Sequence, residues 1–137
     1  MKKILTLGMM MVIWTGVFGA KPKNHYKDNQ DGTVTDTKTG IVWQKSHSEE
    51  KMNWEEAENY CENLELGGID WRLPTKKELL FLADRTRYQP AINTEYFPGT
   101  PSDWFWSSSP HVYGSAVAWG VNFKDGNSYD DLKTNKH

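Results

Sequence analysis

The sequence predicts an α+β fold with two helices, a small antiparallel sheet and a long irregular region. Three observations predict it: two β-branched runs around a Gly-containing turn, two capping-box helix starts within thirty residues, and late aromatic strands beyond a Pro-punctuated stretch. At 137 residues the chain suits one domain, and two independent cores would be hard to fill. Aromatic residues make up 13% of it, well above the content of disordered chains.

The first element is not part of the fold. Lys2 and Lys3 precede a charge-free, mostly apolar run from Ile4 to Ala20, and Lys21-Pro22 restores polarity. Residues 1–20 therefore read as a secretory signal peptide, cleaved after Gly19 or Ala20, with 21–137 as the exported domain. A membrane anchor is the alternative, but the run is short for a span of about 20 residues. No later run approaches that length, so no membrane span is expected after cleavage. Removing residues 1–20 takes away Lys2 and Lys3 and no acid, leaving 14 basic and 18 acidic side chains. That balance excludes a sequence-independent nucleic-acid binder.

Residues 21–31 are polar and read as a leader. Thr33-Val34-Thr35 and Ile41-Val42-Trp43, around a turn ending in Gly40, predict a hairpin. Asn53 and Glu56 have capping-box spacing, and Trp54, Ala57, Cys61 and Leu64 form one apolar stripe, so a helix begins there and ends at Gly67-Gly68. Asp70 to Pro74 is an extended link, in which Asp70 and Arg72 are expected to make a structural ion pair. Thr75 and Glu78 form a second capping box before Leu79-Leu80-Phe81-Leu82. Residues 84–103 carry Pro90, Pro98 and Pro101, and an irregular stretch of that length is often functional. Strands follow at Trp104-Phe105-Trp106 and 116–123, with Asp125-Gly126 turning into a return strand from Ser128.

The stretches DNQDGTVTDTKTGIVWQK (28–45), WEEAENYCENLELGGIDWRLPTKKEL (54–79), AINTEYFP (91–98), WFWSSSP (104–110) and AWGVNF (118–123) resemble the Lcl C-terminal domain family of exported bacterial proteins, a former domain of unknown function. The resemblance implies a C-type-lectin-like fold. It also implies a binding role, because the namesake domain is the tip of an adhesin for sulfated polysaccharide and extracellular-matrix material. Relatives continue into a final strand bearing an Arg-Cys-Val-Arg-like motif, whose Cys is suited to pair with the one matching Cys61. This sequence stops at His137, so a shortened C-terminus and an open sheet edge are expected.

The residues themselves carry no enzyme signature. Cys61, the one cysteine, lies on the apolar stripe between Glu58 and Glu62, the reverse of the electropositive setting a nucleophile needs. It reads as a core thiol or half of a lost disulfide, and an unpaired thiol outside the cell can link two chains. The DNQDG run fails as an EF-hand, because Lys27 and Lys38 would fall at the first and twelfth positions. It reads as an Asx turn. Gln89-Pro90 is followed by Ala91 where a lectin calcium site needs a carboxylate, and His25, His47, His111 and His137 share no ligand spacing. Neither a phosphate loop nor a nucleophile elbow occurs, and Ser107-Ser108-Ser109 reads as a strand end. No metal or other cofactor is expected.

What remains is a binding surface. Lys76, Lys77, Arg85 and Arg87 bracket the second helix, and a polyanion would need such a cluster against the acidic balance. Tyr88, Tyr96 and Tyr113 fall in loops and are expected to be exposed, while at least half of the late aromatics fill the core. The expected function is an exported, non-enzymatic module for a matrix protein or a glycosaminoglycan, at the cell surface, secreted or periplasmic. A periplasmic structural domain without an external ligand is the alternative. A third reading is an enzyme with carboxylates in 84–113.

Overall fold

The computed structural model describes residues 24–137, so the signal peptide expected over 1–20 lies outside them. The order is β1 (Tyr26–Asp28), β2 (Thr33–Asp36), β3 (Val42–Gln44), α1 (Trp54–Glu62), α2 (Lys76–Leu82), β4 (Trp104–Pro110), β5 (Val117–Asn122) and β6 (Asn127–Leu132). The fold is α+β as expected. Its strands, however, form two antiparallel sheets of three, β1-β2-β3 and β4-β5-β6.

β1 falls in the segment expected to be a polar leader. Tyr26 packs against Tyr96 and Phe97 at ring-centroid distances of 5.7 and 5.3 Å, and this anchor lets a polar run pair with β2. The β2–β3 hairpin forms as predicted, its turn held by the Asp36 carboxylate accepting from the Lys38 amide at 2.9 Å. Upstream, Asp31 accepts from the Thr33 amide and hydroxyl, which makes DNQDG an Asx turn.

Both capping boxes are present. Helix α1 stops earlier than its glycines predict: its C-cap is Asn63, whose amide and side chain both return to the Asn59 carbonyl. Gly67 and Gly68 instead make the following turn, with φ near +63° and +67°. The ion pair expected between Asp70 and Arg72 is replaced by a two-toothed contact of Arg72 with Glu78, at 3.0 and 2.8 Å. Glu78 faces Arg72 because it already folds back to close the α2 capping box.

Sheet β4-β5-β6 is the middle layer. Trp104 and Trp106 share one face, as alternation requires. There Leu73, Trp106 and Ala118 form a cluster completed by Trp54, Ala57, Cys61 and Trp104. Trp54 and Trp106 also donate their indole N–H groups to the Ser107 and Met52 carbonyls, tying α1 and its approach to β4. On the opposite face Leu79, Leu82, Ile92, Phe97, Val121 and Phe123 form the larger cluster with Val34. Phe105 packs there, 5.1 Å from Phe123. The serine run ends the strand as predicted: Ser107 donates to the Trp119 carbonyl and Ser109 accepts from the Lys76 amide.

Residues 84–103 are irregular yet anchored. The Ala91 amide donates to the Phe123 carbonyl at 2.6 Å, and Ala91, Ile92 and Phe97 are buried. Much of this stretch is core rather than a free loop. After β6 the chain recrosses the Trp face. Met52 and His137 exchange both backbone hydrogen bonds, and the His137 ring lies 5.0 Å from Trp104. Among the described residues no helix is long and apolar enough to cross a membrane.

Candidate functional site

The predicted site residues fall into two groups at opposite ends of α2. Seven residues of helix place those ends about 10 Å apart, so the basic side chains make no single patch.

At the helix start, Lys76 holds its Nζ 3.6 Å over the Trp119 ring. His111 packs at a tilt against the same indole at 4.8 Å and against Tyr113 at 5.2 Å, and its Nε2 stands 3.6 Å from Asp130. Tyr113 and its neighbour Val112 are 89% and 87% exposed at the β4–β5 turn. Lys77 is the next residue of α2, and its Nζ lies 5.8 Å from the exposed Phe81 ring. This tip therefore combines the Lys76 ammonium with a projecting aromatic ring. Trp119 and His111 are the members the sequence reading missed. Their signal was the alternation of β5, which puts Trp119 on the α2 side and Ala118 on the other.

At the far end, Arg85 donates to the Gly126 carbonyl at 3.3 Å and Arg87 pairs with Asp84 at 3.0 Å. The Asp84 carboxyl lies below its ordinary range: burial opposes this, but hydrogen bonds from Thr86 and Arg87 outweigh it. Both guanidinium groups are thus engaged within the fold, and Tyr88 is exposed beside them. Tyr96 departs from expectation, because its packing against Tyr26 and the larger cluster leaves it half-buried.

Of the carboxylates of 84–113, Asp103, like Asp84, is in structural use. Asp103 accepts from the Trp104 amide and pairs with Lys51, and those contacts hold it below the usual carboxylate range. Cys61 is half-buried, and burial followed by Glu58 and Glu62 pushes its thiol up to about 11. Among the described residues no three His, Cys, Asp or Glu side chains are placed to hold a metal ion.

A second feature was not legible in the sequence. A cleft of about 610 Å³ opens between the segment from β3 to Met52, helix α1 and strand β4. Its lining includes Trp43, His47, Cys61, Phe97, Trp104 and Phe105. Two buried polar atoms there, His47 Nδ1 and Trp104 Nε1, have no hydrogen-bond partner among the described residues. Such groups are usually satisfied by protein or by ordered water.

The family model described as the Lcl C-terminal domain matches residues 32–137. No curated protein and no solved structure matches the chain.

Proposed function

Because the chain belongs to the Lcl C-terminal domain family, we propose that it is an exported, non-enzymatic, C-type-lectin-like binding domain for an extracellular-matrix protein or a sulfated polysaccharide. The observation that carries this reading is the tip, where Lys76 lies over Trp119 beside the projecting Tyr113. A sulfated sugar offers an apolar ring face and anionic groups. An exposed Tyr supplies the matching surface for the first, and Lys76 and Lys77 attract the second. Export rests on the signal-peptide pattern of residues 1–20. Covalent pairing of two chains through Cys61 belongs to the same proposal, slowed by its burial.

The division of the basic residues between two ends favours a second reading, a periplasmic structural or accessory domain with no external ligand. A solid-phase assay of the chain against immobilised heparin, laminin and fibronectin tests the first. Saturable binding to at least one surface is expected, weakening with added salt where the surface is heparin. No saturable binding to any of them overturns it. Protease treatment of intact cells separates the two locations, since only a surface protein is cut.

A further inference from the structure

The cleft lies between two unpaired sheet edges. β3 closes one side of the first sheet and β4 one side of the second, and both line it. In an antiparallel pair, alternate residues turn their N–H and C=O groups away from the partner strand. The Asp36 amide bonds to Ile41 and the Lys45 amide to Gly32, and Val34 opposes Trp43 between them. Val42 and Gln44 therefore direct their backbone groups outward from β2. On β4, Phe123 bonds to the Asp103 carbonyl and Phe105 opposes Val121, so Trp104 and Trp106 direct theirs away from β5. The Trp104 amide is taken by the Asp103 carboxylate, which leaves the Trp104 carbonyl and both groups of Trp106. Ser108 obeys the same alternation and has found the Pro74 carbonyl. Trp106 is only 5% exposed, so water reaches its edge poorly.

The walls show what the gap would accept. Leu79, Phe97 and Phe123 reach it from the larger cluster, and Ala57, Leu73 and Trp106 from the smaller one. A strand lying in the gap would send successive side chains alternately into these two clusters, so it should be apolar on both faces. At the rim, Lys45, Lys51 and Arg72 are already paired with Asp28, Asp103 and Glu78. Glu49, Glu50 and Asp70 line the same cleft and join no ion pair among the described residues. The unspent rim charge is negative.

We infer that this cleft is a strand-addition site: it takes an extended peptide segment, apolar over about four residues and basic at its flanks, which pairs with β3 and β4 together. Such a strand would join the two sheets into one and bring peptide groups and apolar side chains beside Trp104 and His47. The site is separate from the Lys76–Tyr113 tip, so either can fail without the other.

The probe is the synthetic peptide acetyl-Lys-Val-Ile-Val-Val-Lys-amide, titrated into the chain and followed by tryptophan fluorescence and amide hydrogen exchange. Saturable binding is expected, with exchange at Val42, Gln44 and Trp106 slowed about tenfold or more. The same peptide N-methylated at alternate residues keeps its apolar surface but loses donors, and should bind at least about tenfold more weakly. Val42→Pro removes an N–H that points away from β2, a position where an edge strand tolerates proline, and should abolish binding while the fold persists. If that variant does not fold, the N-methylated peptide still decides. No saturable binding, equal binding of the N-methylated peptide (an apolar pocket without strand pairing), or the same amides protected by self-association without peptide each overturns the inference.

Discussion

The Trp104 ring lies against the bare backbone of Gly120, where a Cβ would stand 2.4 Å from Trp104 Cε2 and 2.6 Å from the Phe105 carbonyl oxygen. One of those neighbours is backbone of the adjacent strand and cannot swing aside. Gly120→Ala should therefore destabilise the fold by about 1–3 kcal/mol or more, through displaced β4 packing. In thermal denaturation followed by tryptophan fluorescence, Tm should fall by roughly 5–15 °C. Gly40→Ala is the contrast: its Cβ meets nothing within 4 Å, and only the φ of +76° is unfavourable. That substitution should cost about 1–2 kcal/mol, and a larger loss than at Gly120 would contradict this packing.

Cys61 should be a slow nucleophile. With its thiol pushed up to about 11 by burial, little thiolate exists near neutrality. Reaction with an aromatic disulfide reagent at about pH 8 should run on the order of a hundredfold slower than for a free thiol, and reach the ordinary rate in guanidinium chloride. Fast reaction of the native protein would show the thiol exposed. Oxidative dimers on a non-reducing gel should accordingly appear only slowly.

The parts of the fold written in local spacing were legible. Asn53 with Glu56 and Thr75 with Glu78 announce their helix starts, and Trp104-Phe105-Trp106 announces its two faces. Strand β1 was not legible, because Tyr26 becomes a strand residue through Tyr96 and Phe97, which arrive from far along the chain. Arg72 likewise has a near acid at Asp70, yet the capping geometry of α2 delivers Glu78 instead. At the site, Lys76 and Tyr113 were identified singly. What joins them is Trp119, a β5 residue that sequence could place on a face but not under a particular lysine. The cleft lies between two sheets whose separation no local pattern encodes.

The Glu78 contacts make acid stability testable. Hydrogen bonds from Arg72 above all hold the Glu78 carboxyl near 2 against their opponent, partial burial. A carboxyl depressed in the folded state lends stability that is complete above its unfolded value, about 4.3, and is lost as pH falls through the folded value. Tm should decline from about pH 4.5 down to about pH 2 in the native chain. Asp103, Asp125 and Asp131 are lowered too and share this trend, so the difference from a variant isolates Glu78. Glu78→Gln should lower Tm near neutrality, by about 1–2 kcal/mol in stability, and the gap should close toward about pH 2. A gap that stays constant with pH would mean that charge on Glu78 does not matter.

The two ends of α2 should respond differently to truncation if the tip binds heparin. Lys76, half-buried over Trp119, and the exposed Lys77 sit in the first turn, and neither side chain takes part in the Thr75–Glu78 capping box. Lys76→Ala and Tyr113→Ala should each weaken retention on heparin about two- to fivefold. Tm should stay unchanged within error for the exposed Tyr113 and fall by only a few degrees for Lys76→Ala, which gives up about 0.5–1 kcal/mol of contact with Trp119. Arg87→Ala should have little effect: its charge is balanced by Asp84, so an approaching sulfate gains little net attraction there. Adding salt should shrink the Lys76 effect while leaving part of the Tyr113 effect, since screening acts on charge and not on ring stacking. Equal losses from Lys76→Ala and Arg87→Ala would place the anion along the whole helix rather than at the tip.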